Sequence, residues 1–378
     1  MRLATRPPEG RAIKHCTSGA KPAGLPLRGV ASLVIVGVLA PSLTVVAQAP
    51  PLPPPMNDCA TAASSRLKLI CNQQSPEDLV VVPGGQWVVA SAYTGSGVNL
   101  IRVSDRVSHR AYPTVAGRRR IDEKKYPACP GPPDTVPNAR FTTHGLWLQP
   151  GPATVHTLYV VGHGTRESVE VFELDTRPVT PLLTWVGCVI APEPIGLNSV
   201  RGLPDGGLIA TNFLARNVTP EGRLRMLDGE KNGELWEWHA AGGWKKVPGS
   251  EAAGANGIEI SNDGKWYYVA AWGSQSFFRL SRGTATPERD EIRLGFRVDN
   301  IRWGQDGSLY AVGQTGSREV TDTSSVVVKI NPDTLAVREV YRRPDDVTFR
   351  FGTVAVEVGN ELWVGSYQGD RIAVISNP

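Results

Sequence analysis

Only six histidines, five cysteines and three methionines occur among the 378 residues. No two cysteines stand in CxxC spacing, which removes the common thiolate zinc sites. The G-x-S-x-G elbow is absent, so a serine nucleophile of that kind is excluded. Excess charge is also missing from the body of the chain. The formal charge is +4, but residues 1–49 hold six Lys and Arg against one acid, leaving 34 basic and 35 acidic residues beyond them. With no basic domain there is no case for nucleic-acid binding. What the chain does have is turn formers: 40 Gly and 31 Pro suit a large β protein with many tight connections.

The clearest stretch runs from Ala255 to Ala270. Asn262-Asp263-Gly264 is a tight-turn signal between two apolar runs. Ile258 and Ile260 alternate with polar neighbours, as in a half-buried strand. Trp266 to Ala270 is aromatic and β-branched, as a second strand should be. Asn256 stands just ahead of the first strand.

This arrangement recurs six times. The lead residues are Glu77, His144, Asn198, Asn256, Asp299 and Gly352, spaced 67, 54, 58, 43 and 53 residues apart. Each unit is long enough for about four short strands, the make-up of a propeller blade. The pattern predicts an all-β, six-bladed β-propeller over residues 76–378, with four-stranded antiparallel blades around a central channel. Inner strands line that channel, so the lead residues converge on the axis. Glu77, Asp299, Asn198, Asn256 and Asn300 would then bring two carboxylates and three carboxamides together. A hard cation such as Ca²⁺ takes six to eight oxygens at about 2.3–2.6 Å and tolerates irregular geometry. Two carboxylates also balance its charge. A single Asn or Asp beside a strand is more often a turn residue with local backbone hydrogen bonds. Five polar, metal-compatible residues at six aligned positions favour the cation.

Arg2, Arg6, Arg11, Lys14, Lys21 and Arg28 precede an apolar run over residues 29–49, the layout of a secretory signal. Ala47-Gln48-Ala49 fits a cleavage site, whereas Pro50 opposes cleavage. Residues 1–49 are therefore either a signal peptide or an uncleaved N-terminal anchor holding the protein to a membrane through residues 29–49. Both readings put the body outside the cytoplasm, periplasmic or extracellular. Residues 50–75 read as a Pro-rich linker and lead-in. Cys59, Cys71, Cys129 and Cys188 allow three pairings in an exported chain. Cys59–Cys71 with Cys129–Cys188 is favoured, because each pair brackets an irregular segment at a blade boundary. Arg118 to Arg120 read as a solvated loop.

On these motifs the chain resembles the calcium-dependent lactonase superfamily of six-bladed propellers, which includes the paraoxonase/arylesterases and the gluconolactonase-like proteins. The resemblance rests on Glu77-Asp78-Leu79, His144-Gly145, Val160-Val161-Gly162-His163 with Ser168 to Phe172, Gly196-Leu197-Asn198, Ala255-Asn256-Gly257-Ile258, Val298-Asp299-Asn300-Ile301 and Gly352-Thr353-Val354-Ala355. It implies that Glu77, Asn198, Asn256, Asp299 and Asn300 hold a catalytic Ca²⁺. It further implies that His144 activates water and that His163, read as lying on an outer strand, is its partner. Two departures stand out. The family's second, structural calcium uses acidic residues; Asp78 matches one of them, but Ser199 occupies the other position. The paraoxonase disulfide that ties the chain ends has no partner here, since no Cys follows Cys188.

The expected function is an exported, Ca²⁺-dependent hydrolase of small-molecule lactones or aryl esters. His144 takes the proton of the attacking water, with Asp299 as a second candidate base. The alternative is a non-enzymatic, calcium-stabilised propeller that binds a partner or ligand. A lyase or synthase on the same scaffold is a third reading, because fold does not fix reaction class. Trp147, Phe213, Trp272 and Tyr367 are candidate pocket walls, although aromatics at such positions also build the core between blades.

Overall fold

The structure is a computed structural model that describes residues 58–59, 67–114, 117–135, 140–316, 324–343 and 348–376. The signal or anchor expected in residues 1–49 and the Pro-rich run at 50–55 lie outside the described residues. The rest forms six sheets in chain order, each built on antiparallel strands, and one of them gains a fifth, parallel strand. Blade 1 comprises Leu79–Val81, Trp87–Ala90, Val98–Arg102 and Ser108–Tyr112. Blade 2 comprises Phe141–Gln149, Val155–Gly164, Ser168–Asp175 and Leu182–Ile190. Blade 3 comprises Leu197–Gly202, Leu208–Asn212, Glu234–His239 and Gly243–Lys246. Blade 4 comprises Ala255–Ile260, Trp266–Ala271, Ser276–Ser281 and Arg289–Arg293. Blade 5 comprises Arg297–Trp303, Leu309–Gln314, Ser325–Ile330 and Val337–Arg343. Gly352–Val358, Glu361–Ser366 and Ile372–Ser376 form the first three strands of blade 6.

The fourth strand of blade 6 comes from the other end of the chain. Lys68–Ile70 pairs antiparallel with Ile372–Ser376, with Lys68 opposite Val374. The stretch read as lead-in therefore closes the ring. The Cys59–Cys71 disulfide ties residue 59 to the end of this strand. Cys129–Cys188 joins the crossing between blades 1 and 2 to the outer strand of blade 2. Both favoured pairings are present, as suits an oxidising environment. Arg118–Arg119 is not loop: it adds a short parallel strand to the edge of blade 2, with both side chains exposed.

The hydrophobic core lies between blades. Val80, Val89 and Leu100 of blade 1 pack with Leu146, Leu158, Phe172 and Trp185 of blade 2. Tyr268, Phe277 and Ala270 of blade 4 pack with Val298, Ile301 and Val326 of blade 5. Each blade is covered on both faces, so its inner strand has no solvent side. This corrects the half-buried reading of Ala255–Ile260, which is buried throughout.

In blades 2 to 6 the lead residues are not ahead of their strands but inside them. The inner strand loses register between Thr143 and Leu146, Leu197 and Val200, Ala255 and Ile258, Val298 and Ile301, and Gly352 and Ala355. Each irregularity contains the lead residue or the residue after it. A bulge inserts an extra residue, bends the strand and re-aims a side chain. Here it turns polar side chains towards the axis from a strand that is otherwise apolar. Bulges also free backbone N–H groups, and neighbouring hydroxyls accept them. At the blade 3 bulge Ser199 N–H donates to Thr211 Oγ1 at 2.9 Å, and just ahead of the first strand of blade 1 Asp78 N–H likewise donates to Ser91 Oγ at 2.8 Å. Gly145 and Gly257 sit at two of these bulges, where an added Cβ would lie 2.3 Å from Asn198 O and 2.6 Å from Asp299 O respectively. Only glycine lets adjacent inner strands approach this closely.

Candidate active site at the propeller axis

Glu77, Asn198, Asn256 and Asp299 form the floor of a pocket of about 450 Å³ at one end of the axis, with His144 and His163 at its side. Asn300 lies just beneath, donating Nδ2–H to Glu77 Oε1 at 2.7 Å. All five candidate ligands are thus brought together, and all are buried. Gly352, the sixth lead residue, contributes its carbonyl, which accepts from Gln314 Nε2 at 2.6 Å; the same amide donates to Asp299 Oδ2 at 3.1 Å.

Four buried oxygens at this floor accept no hydrogen bond among the described residues: Glu77 Oε2, Asn198 Oδ1, Asn256 Oδ1 and Asn300 Oδ1. Orphaned buried acceptors are costly, by about 1–3 kcal/mol each. Here they cluster, and they cluster with two carboxylates. Burial, then the Asp78 charge, pushes the Glu77 carboxyl up to about 8. Burial, then Glu77, likewise raises Asp299 well above the usual carboxylate range. Two acids held this way in a dry site call for a positive charge. Among the described residues no three His, Cys, Asp or Glu side chains gather as a metal group. The donor set is instead two carboxylates and three carboxamides, and that chemistry fits a hard, oxygen-seeking cation such as Ca²⁺.

Asp78 does not share this role. Its Oδ1 accepts from Leu79 N–H at 2.8 Å and its Oδ2 from Leu146 N–H at 2.7 Å. Arg302 completes the carboxylate with a buried ion pair and also donates to Leu146 O at 2.9 Å. Arg302 lies 3.9 Å from Glu259, which pairs with Arg201. Deeper along the axis, the cations are therefore guanidinium groups. Asp78 is bonded throughout, and Ser199 is no acid, so these residues do not fit a second calcium.

Beside the floor runs a chain of three side chains. His144 Nδ1 lies 2.9 Å from His163 Nε2, and His163 Nδ1 lies 2.9 Å from Glu167 Oε2. The other Glu167 oxygen accepts from Leu197 N–H at 2.6 Å. His163 is on the second strand of blade 2, not an outer one, which is why it reaches His144. Sequence reasoning misses Glu167; the only signal is its place in the tight turn after His163. His144 Nε2 faces the floor, 3.4 Å from Asn198 Nδ2 and 3.6 Å from Glu77 Oε2. Burial, then the neighbouring His163, lowers the His144 imidazole to about 3, so it is neutral in this setting.

The walls are largely apolar. Phe213, Trp272 and Tyr367 line the pocket as expected, together with Tyr93, whose ring lies 4.5 Å from that of His144. Trp147 does not line it; it packs against Tyr159 and beneath Arg201 in the layer between blades. One wall is a helix, α1 (Pro220–Leu227), inserted between the second and third strands of blade 3. Thr219 caps it, accepting from Gly222 N–H at 3.1 Å. Buried Met226 anchors it with Leu214 and Ala253. Arg223 and Leu227 of the helix face the pocket.

Fold and site together define a six-bladed propeller with an oxygen-rich axial pocket. Solved structures similar to the chain include a luciferin-regenerating enzyme, at 14% identity and a TM-score of 0.52 over 82% of this chain and 95% of that one. The PQQ-bound aldose sugar dehydrogenase of Streptomyces coelicolor is similar at 13% identity and a TM-score of 0.52, over 82% and 97% of the two chains. The calcium-binding protein regucalcin of Agrobacterium tumefaciens matches at 12% identity and a TM-score of 0.47, over 81% and 91%. No family model and no curated protein matches the chain. At such identities the first two likenesses bear on the fold alone, and the activity must be argued from this chain's own residues.

Proposed function

We propose that the protein is an exported, Ca²⁺-dependent hydrolase of lactones or aryl esters. The observation that carries this reading is the cluster of four buried oxygens without donors beside His144. Glu77, Asn198, Asn256, Asp299 and Asn300 would hold the cation. When bound, such a cation acts as a Lewis acid that polarises a carbonyl and favours an oxyanion.

The remaining chemistry belongs to the side chains. The Glu167 carboxylate accepts the Nδ1 proton of His163, which leaves the His163 Nε2 lone pair facing His144. His144 donates its Nδ1–H to that lone pair, so its own Nε2 is unprotonated and faces the floor. A neutral imidazole whose Nε2 lone pair is met only by the long 3.4 Å contact from Asn198 Nδ2 can take a proton from water as it attacks a carbonyl. Phe213, Trp272 and Tyr367 offer an apolar surface for the acyl or aryl body of the substrate.

The test joins calcium titration with turnover. The full chain should bind about one Ca²⁺ and hydrolyse members of a panel of small lactones and aryl esters, with activity lost on chelation and restored by Ca²⁺. Asn256→Ala should abolish turnover and weaken calcium binding while leaving the β-rich circular dichroism spectrum in place. An unchanged rate in that variant sinks the proposal. Calcium binding with no turnover on any ester leaves the ligand-binding propeller as the surviving reading.

A further inference from the structure

Not every cation around the pocket is paired, and the Glu167 carboxylate at its side is already bonded to His163 and Leu197 N–H. On its floor, Glu77 and Asp299 are balanced once a divalent cation is bound. At the mouth, Arg216 donates Nε–H to Ile195 O at 3.0 Å and pairs with the carboxylate of Glu193. Arg223 is different. It projects into the pocket from α1, and among the described residues its guanidinium has no carboxylate or hydrogen-bond partner. Its field reaches the Tyr93 hydroxyl, which lines the same pocket. A second guanidinium lies behind the wall. Arg297 stands 4.4 Å from the Trp272 ring, is 6% exposed, and its Nη1 has no acceptor among the described residues. Arg223 is exposed to solvent, so it needs no partner for stability and is available to a ligand; for the buried Arg297 an unpaired charge is unfavourable unless something of opposite charge comes near.

We propose that this pocket takes a substrate with an anionic group remote from the scissile carbonyl, and that Arg223 is the residue that recognises it. The cation at the floor and the guanidinium at the mouth fix the two ends of such a molecule, and the apolar walls take its body. Arg297 adds a positive field behind Trp272 without touching the ligand. The chemical class is thus an ester or lactone bearing a carboxylate or a phosphate, in preference to a neutral lipophilic ester. Hydrolysis adds one water across the acyl C–O bond and leaves the anionic group unchanged. What is cleaved rests on the hydrolase reading above; what is bound does not.

The experiment uses the full chain in the presence of calcium and two probes of one shape, 4-phenylbutanoate and its neutral amide. Calorimetry should find the carboxylate bound about tenfold more tightly than the amide, as expected of one charge-assisted hydrogen bond at a partly exposed site. Arg223→Gln should bring that ratio to within about twofold, and Arg223→Lys should retain most of it. In parallel, the ratio of kcat/KM for monophenyl succinate over phenyl acetate should fall in Arg223→Gln. No carboxylate preference in the wild type, or a preference that survives Arg223→Gln, overturns the inference. A preference that depends on Arg223, with neither ester hydrolysed, upholds the inference and overturns the hydrolase reading instead.

Discussion

Glu167 hydrogen-bonds none of the five candidate cation ligands, yet in the proposed mechanism it sets which nitrogen of His144 faces the floor unprotonated. We therefore treat it as a positioning residue. Glu167→Gln can still meet His163, but it no longer enforces one tautomer along the chain of hydrogen bonds. Its kcat should fall by about ten- to a hundredfold with KM changed much less, and Glu167→Asp should recover part of the rate. Calcium affinity, measured by titration, should not move; a matching loss of calcium binding would mark a merely structural role. The buried pair Asp78–Arg302 allows a second prediction. Arg302→Met leaves an uncompensated carboxylate and should destabilise the fold by about 3–5 kcal/mol in denaturant unfolding, with the double variant Asp78→Asn/Arg302→Met regaining much of the loss. The ligand set is legible in the sequence because those residues occupy equivalent positions in repeated units. Arg302 stands three residues after its lead residue, as Arg201 and Glu259 do in blades 3 and 4, so the aligned units carry that charge layer although a reading for cation ligands passes over it. Glu167 lies in the connection between two strands, outside the aligned positions.

At the scale of the strand, the bulges do the aiming. Gly257→Ala would drive a Cβ to 2.6 Å from Asp299 O and 2.7 Å from Asn300 Cα. Backbone cannot yield as a flexible side chain can, so blades 4 and 5 must separate at their inner edge. The expected cost is about 1–3 kcal/mol in thermal or denaturant unfolding, with calcium affinity lost along with it because Asp299 and Asn300 are displaced. The hairpin from Ala255 to Ala271 is readable from its turn and its apolar runs; the bulge within it is not. A strand alternates with period two, and a single sequence carries no mark of where two residues oppose one. The turn itself offers a pH test. Asp263 Oδ1 accepts from Ser261 Oγ at 2.6 Å and Lys265 N–H at 3.1 Å, which lowers its carboxyl to about 2. A carboxylate with a depressed folded pKa contributes its order above the usual value near 3.8 and loses it as pH falls through about 2. Resonances of Ser261 to Lys265 followed by NMR should shift there, well below the range of ordinary aspartates.

For the molecule as a whole, calcium should behave as a stabiliser. If it binds only the folded ring, a concentration of 100 Kd adds about 2.7 kcal/mol, and chelation should lower Tm accordingly. A Tm indifferent to both calcium and chelator would contradict a site in which four oxygens wait for a cation. Six blades are legible because the turn signals recur at blade spacing and each blade must be apolar on both faces. The closing strand is not, because Lys68–Ile70 is three residues long and its partner lies at the far end of the chain. Ile70 and Ile372 are neighbours in the sheet although roughly 300 residues separate them, a loop whose closure must be met by contacts made elsewhere first. The first described strand and the last therefore share one edge, and the ring has no natural beginning. A circular permutant that splices these two ends and opens instead at the exposed turn around Asp263 should assemble the same six blades around the same axis.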